Sequence, residues 1–250
     1  MKVDLIDYTG LCSFDPWYAA RLLIYTKSTR LTQNEETRNK IALMKDEEIE
    51  QELDYISKTI RSSWEMVDYT FQITDVTRAF THQLVRTRTA SYAQQAQRVV
   101  DMSDFEALMP ETVAANKEAS TMWRELMIQI MKTYKAMSER GIPNQDCRGV
   151  LPTNVYTNII MKANLRTMAD LLAKRKNLRA QGEYADVARE MEKRILEVHP
   201  WAEPFLNPER TRTPALDKLL ADALGTSGPL DKPEINAALK ELDALKEVWG

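Results

Sequence analysis

The stretch His82–Val100, HQLVRTRTASYAQQAQRVV, constrains this chain more than any other. It sets Arg86, Arg88 and Arg98 among Gln83, Gln94, Gln95 and Gln97, with apolar flanks and no lysine. Upstream, Asp75 is a fair N-cap, and Val76, Ala79, Phe80, Gln83 and Leu84 recur at helical spacing, so a helix is expected over Asp75–Arg88. Such a helix puts Gln83, Arg86 and Thr87 on one face. Past Ala90 a polar loop is expected, with Ser91 and Tyr92 at its turn. Arginine offers a fork of donors that fits phosphate, and glutamine offers a donor and an acceptor together. A helix end and loop of this composition suit an anion and the edge of a base. The competing reading, a solvated charged face, fits poorly with the apolar flanks.

The flanking segments point to a mixed α/β (α+β) chain. MKVDLIDY at Met1–Tyr8 alternates as a strand does, and WEMVDYTFQI at Trp64–Ile73 is rich in aromatic and β-branched residues. Helices are expected from Asp15-Pro16 through Ile24, over Asn34–Met44, and over Asp46–Ile60, where Ile49, Leu53, Ile56 and Ile60 mark one core stripe. Pro110–Arg140 reads as a long helix, with Val113, Met122, Leu126, Ile130 and Tyr134 as its core face and Gly141-Ile142-Pro143 as its stop. A strand is expected over Val155–Lys162, a helix over Asn164–Arg179 with Arg166 and Asp170 four apart, and a continuation through Gln181–Val198. Pro200–Pro208 breaks the helix. Two further helical patterns, Pro214–Leu224 and Pro233–Trp249, make up an extension.

Bulk properties exclude several classes. The 250 residues suit one large domain with an extension, and 44% hydrophobic content is enough for a core. A net charge of −3 gives no global attraction to nucleic acid, so any anion site is local. Cys12 and Cys147 are the only cysteines, and no signal peptide or long apolar run is visible, which points to a reducing, cytoplasmic setting with no membrane role. His82 and His199 are the only histidines, which speaks against a protein zinc site and a Ser-His-Asp triad. With Gly totalling 7 and no glycine-rich loop, a Rossmann or P-loop site is not expected.

The central stretch resembles the signature of the flavin-dependent thymidylate synthases, the ThyX family: Arg-His-Arg, then a Ser and a further Arg. Arg86, Arg88 and Arg98 match it. Thr87 stands where the family has His, and Ala96 where it has Ser. Gly141-Ile142-Pro143 to Pro152 resembles a second family segment, in which Arg148 matches a nucleotide-binding Arg. Asn164-Leu165-Arg166 resembles the family's flavin-contacting Asn-Ala-Arg, Arg175 its pyrimidine-holding Arg, and Ala180-Gln181 with Glu183 its AQWE. Other positions depart from the pattern. Ile60 and Met66 replace histidines of the His-x-(Ser/Thr)-x-x-Glu-His segment, and Asp170, Arg179 and Gly182 replace Asn, His and Trp.

The resemblance implies a central sheet flanked by helices in a catalytic domain over 1–206, with 207–250 as a helical extension. It also implies a homotetramer with active sites between subunits. It implies FAD as cofactor, NADPH and methylenetetrahydrofolate as co-substrates, and one-carbon transfer to C5 of a pyrimidine deoxynucleotide, by default dUMP to dTMP. By the same carry-over, Gln83, Arg86, Gln95, Ala96, Gln97, Arg98, Arg148 and Arg175 bind the nucleotide, with Arg175 as the catalytic group. Ser62, Arg86, Thr87, Arg88, Thr89, Gln94, Asn164, Arg166 and Asp170 line the flavin. The departures leave two alternatives open: the same chemistry on another base, as dCMP methylation or hydroxymethylation, or a non-catalytic nucleotide- or flavin-binding relative. For the base, a carboxylate at Asp170 favours an exocyclic amine if it reaches the ring.

Overall fold

The computed structural model describes residues 1–27, 32–175 and 182–207. The expected helices beyond Asn207, and the residues Arg179, Ala180 and Gln181, lie outside the described residues.

A four-stranded antiparallel sheet runs β1-β2-β4-β3, with β1 Lys2–Tyr8, β2 Asp68–Thr77, β3 Ser91–Gln94 and β4 Tyr156–Asn164. Central β4 alternates cleanly: Thr157, Ile159, Met161 and Ala163 point into the core, while Asn158, Ile160 and Lys162 face out. That period of two is what one covered face and one open face of an antiparallel sheet require.

The covered face packs against helices whose apolar residues repeat every three or four positions. These are α1 (Tyr18–Lys27), α3 (Asp46–Thr59), α8 (Leu165–Arg175) and α9 (Gly182–Val198). Leu23, Ile49, Leu53, Ile56, Leu165, Met168, Leu172, Val187, Met191 and Ile195 form one continuous core with Tyr69, Phe71 and Ile73 of β2. Ile60 lies past the end of α3 and is only half-buried, so the expected stripe stops at Ile56. Helix α2 (Glu35–Ala42) begins where Asn34 Oδ1 accepts the Thr37 N–H, as its sequence leads one to expect.

Several boundaries differ from expectation for identifiable reasons. The strand expected at Trp64 starts later, because Ser63–Met66 forms a 3₁₀ turn. Asp75 is not an N-cap: it sits at φ 56 in a β-bulge of β2, its N–H donating to Asn158 Oδ1 at 3.1 Å. The cap is Thr77, whose Oγ1 accepts the Phe80 N–H at 3.0 Å, so α4 spans only Arg78–Leu84. Arg86, Thr87 and Arg88 therefore lie in the turns after the helix, and Ser91 and Tyr92 belong to β3 rather than a loop. Pairing with the outer edge of β4 overrides the weak local pattern there.

The long helix expected over Pro110–Arg140 is divided. Helix α5 (Glu111–Ala114) ends, Asn116 caps a new start, and α6 (Lys117–Glu139) follows. Of its expected core face only Tyr134 is buried; Met122 is 70% and Leu126 54% exposed. Helix α6 packs on α5, α7 (Asn144–Cys147) and the Arg148–Val150 turn, and the main core does not reach that face. Gly141 ends α6 at φ 78, a left-handed conformation that glycine adopts without strain. After α9, Pro200–Ala202 and α10 (Glu203–Leu206) continue the chain in two short turns. Phe205 and Leu206 are buried there, so the proline-rich break is itself part of the core.

Candidate active site

The signature residues are anchored by backbone and amide contacts that leave their guanidinium groups outward. Tyr92 of β3 donates its hydroxyl to the Leu84 carbonyl at 2.8 Å and the Thr87 carbonyl at 3.0 Å, tying the Arg86–Thr89 turns to the sheet edge. Gln94 Nε2 donates to Thr81 Oγ1 of α4 at 2.9 Å. Gln95 Oε1 accepts from Asn158 Nδ2 at 3.1 Å. Each of those two amides commits one end to the scaffold. Gln97 differs: it is 8% exposed, and its Nε2 has no hydrogen-bond partner among the described residues. A buried donor left unpaired is costly and rare, which marks this amide as one that awaits a partner.

Glu183 of α9 closes the other end of α4. Its Oε1 accepts the Thr77 N–H at 2.8 Å and its Oε2 the Thr77 hydroxyl at 2.6 Å. A carboxylate at this N-terminus is favoured by the unpaired N–H groups there. Arg78 opens the helix, and its pKa is lowered by burial first and then by the positive charge of Arg148. Two guanidinium groups that repel each other at a partly buried place form an anion-attracting corner. Arg148 itself follows α7, with Nε donating to the Gln145 carbonyl at 3.1 Å.

Arg175, at the end of α8, lies over the ring of Tyr184 with 4.4 Å to the centroid. The Tyr184 hydroxyl has Thr87 and Arg175 as polar neighbours. Arg175 is thereby brought beside the central position of the signature, although the two are far apart in sequence.

A second cluster forms about one end of α8. Asn164 Oδ1 accepts the Thr167 N–H at 2.9 Å and caps the helix. Arg166 pairs with Glu65 at 2.6 Å, and Asp170 with Arg61 at 2.5 Å. The expected Arg166–Asp170 contact gives way to these two cross-links, which fasten the Ser62–Met66 turn to α8. Asp170 is engaged by a guanidinium, which is the opposite of a carboxylate held ready for a base. Ser62 sits at the start of that turn. Along the α8 axis, Arg166 and Arg175 stand about 14 Å apart at the usual helical rise.

Gln83 lies on α4, and Arg86, Arg88, Thr89, Ala96 and Arg98 are exposed on the segments that follow α4 and β3. Arg61, Glu65, Arg78, Tyr92 and Tyr184 join them without having been expected. Arg61 and Glu65 flank Ser62 in sequence, a visible signal; Tyr92 and Tyr184 give none, because their role depends on which elements meet. A concavity of about 560 Å³ between Trp17, Leu53 and Trp201 holds none of the candidate residues. Another, of about 760 Å³, takes in Thr77 and Glu183 but none of the signature arginines.

A family model described as thymidylate synthase complementing protein matches residues 4–201. A flavin-dependent thymidylate synthase of Pyrococcus furiosus is 38% identical over 131 residues, 51% of this chain and 54% of that protein. One from Nitratidesulfovibrio vulgaris is 39% identical over 132 residues, 50% of this chain and 54% of that protein. One from Saccharolobus solfataricus is 33% identical over 168 residues, 66% of this chain and 64% of that protein. The chain spans about half the length of the first two of these relatives, 54% in each case. With the family match running through the sheet, the signature turns and both clusters, the chain belongs to the thymidylate synthase complementing protein family, that of the flavin-dependent thymidylate synthases.

Proposed function

We infer that this protein catalyses flavin-dependent transfer of a one-carbon unit from methylenetetrahydrofolate to C5 of dUMP, giving dTMP, with NADPH as reductant and FAD as cofactor. The observation that carries the reading is the state of the arginines. Arg61 and Arg166 are matched by carboxylates. Arg86, Arg88, Arg98 and Arg148 enter no ion pair among the described residues. Uncompensated guanidinium groups on turns pinned by Tyr92 suit the phosphates of a nucleotide and of a flavin dinucleotide.

Arg98 and Arg148 hold the nucleotide phosphate, with Arg78 adding to the local positive field. Gln83, Gln95 and Gln97 meet the base and sugar, the free Gln97 Nε2 gaining its missing acceptor, and Ala96 allows close approach of the ring. Arg175 donates to a ring carbonyl and stabilises negative charge that develops on the pyrimidine, a preorganised electrostatic role. Ser62, Thr87, Arg88, Thr89, Gln94, Asn164, Arg166 and Asp170 line the flavin, with Arg86 between the two ligands. The flavin supplies the redox chemistry of the reaction. Within one chain the two clusters lie at opposite ends of α8, which supports a site completed by a second subunit of a homotetramer. The exposed apolar side of α6 and the open sheet face offer surfaces for that association.

The test is anaerobic flavin reduction by NADPH, followed by absorbance, with dUMP or dCMP added. Acceleration by dUMP is expected. Acceleration by dCMP alone establishes the altered-base reading, which the Arg61–Asp170 pair does not favour. Absence of flavin and of any nucleotide response establishes a non-catalytic relative.

A further inference from the structure

Tyr184 is fully buried where α4, α8 and α9 meet. Its ring seats the Arg175 guanidinium at 4.4 Å and meets Phe80 edge-on at 5.0 Å. Among the described residues its hydroxyl makes no hydrogen bond of standard geometry, while Thr87 and Arg175 are close enough to act on it as hydrogen-bonding groups. A phenylalanine would make the same ring contacts without the stranded hydroxyl, so that group destabilises the ligand-free fold. Burial raises the phenol pKa, outweighing the opposite pull of Thr87 and Arg175, and the hydroxyl keeps its proton.

We propose that Tyr184 is a positioning residue for Arg175: its ring holds the guanidinium, and its hydroxyl oxygen accepts an Arg175 N–H when a pyrimidine nucleotide draws that group into place. The Tyr184 O–H then turns to Thr87, the threonine that stands at the histidine position of the family signature. The hydroxyl is satisfied in the occupied site and stranded in the empty one. This inference rests on the nucleotide reading of the Arg175 site.

The experiment uses the full chain, with dUMP binding followed by calorimetry and unfolding of the ligand-free protein by thermal melting. Tyr184→Phe raises the ligand-free melting temperature by about 2–4 °C, yet weakens dUMP binding roughly five- to tenfold. In an Arg175→Ala background, adding Tyr184→Phe leaves dUMP affinity unchanged. A purely structural tyrosine gives stability and affinity that fall together. A lower melting temperature for Tyr184→Phe, or dUMP affinity equal to that of the unaltered protein, overturns the inference alone. Failure of the unaltered protein to bind dUMP overturns the nucleotide reading and this inference with it.

Discussion

His199 makes the stability of this fold dependent on pH in a calculable way. It is 3% exposed, beyond the end of α9, between Tyr8, Tyr69 and Trp201 at ring centroid distances of 5.3, 5.6 and 4.9 Å. Tyr69 is fully buried, and burial pushes its phenol far above its usual range, so its hydroxyl remains a donor. That hydroxyl lies 3.0 Å from His199 Nδ1; when it donates, Nδ1 accepts and the neutral imidazole carries its proton on Nε2. Protonation would put a second donor against the first in a site shut off from water. Burial accordingly lowers the His199 pKa from 6.5 to about 4.

The unfolded chain thus binds more protons than the folded one between those values, and stability rises with pH there. The contribution is fully present above pH 6.5 and is lost as pH falls toward 4. The free-energy difference between the two ends of that window is about 3 kcal/mol. The assay is urea unfolding at intervals from pH 7.5 to 5, where carboxylates contribute least. His199→Gln keeps an acceptor for Tyr69 but cannot gain a proton. The unaltered protein is expected to lose stability at up to about 1.4 kcal/mol per pH unit below 6.5, while the variant stays nearly level. Parallel profiles for the two proteins would refute the reasoning.

Three further outcomes are expected. Glu183→Gln replaces an acceptor-only carboxylate that receives both Thr77 donors, so unfolding free energy drops by about 1–2 kcal/mol; equal denaturant midpoints would argue against this role. The Arg61–Asp170 pair has both side chains about half exposed, so Arg61→Ala costs under about 1 kcal/mol of stability. If the pair neutralises a carboxylate beside the flavin, Arg61→Ala still weakens flavin binding, measured by fluorescence quenching, and Asp170→Asn in the same chain restores it. Leu126→Glu places a charge on the exposed apolar side of α6. Light scattering should then report a smaller assembly with unchanged circular dichroism, and an unaltered mass would remove α6 from the association surface.

The apolar stripe of α3 and the types of β1, α8 and α9 were legible because residue type and spacing encode them. Strand β1 nevertheless breaks its expected alternation at an irregularity between Leu5 and Asp7 that leaves Ile6 exposed. The grouping of Arg86, Arg88 and Arg98 was legible too, since residue type and spacing display it directly. Other features needed the assembled fold. Strand β3 exists because β4 offers an edge to pair with, and the bulge at Asp75 moves the start of α4 to Thr77, so neither can be read from local propensity. The apolar stripe of α6 was visible, but whether it met a core depended on where the other helices ran. Arg175, Tyr184 and Thr87 come together only through the packing of α8 and α9 on α4, and Asp170 finds Arg61 rather than Arg166 across a turn from a distant segment. Sequence determined the type of group available at each position. Tertiary structure decided which groups meet, because the energy of a charge or a hydroxyl depends on its neighbours and its distance from water.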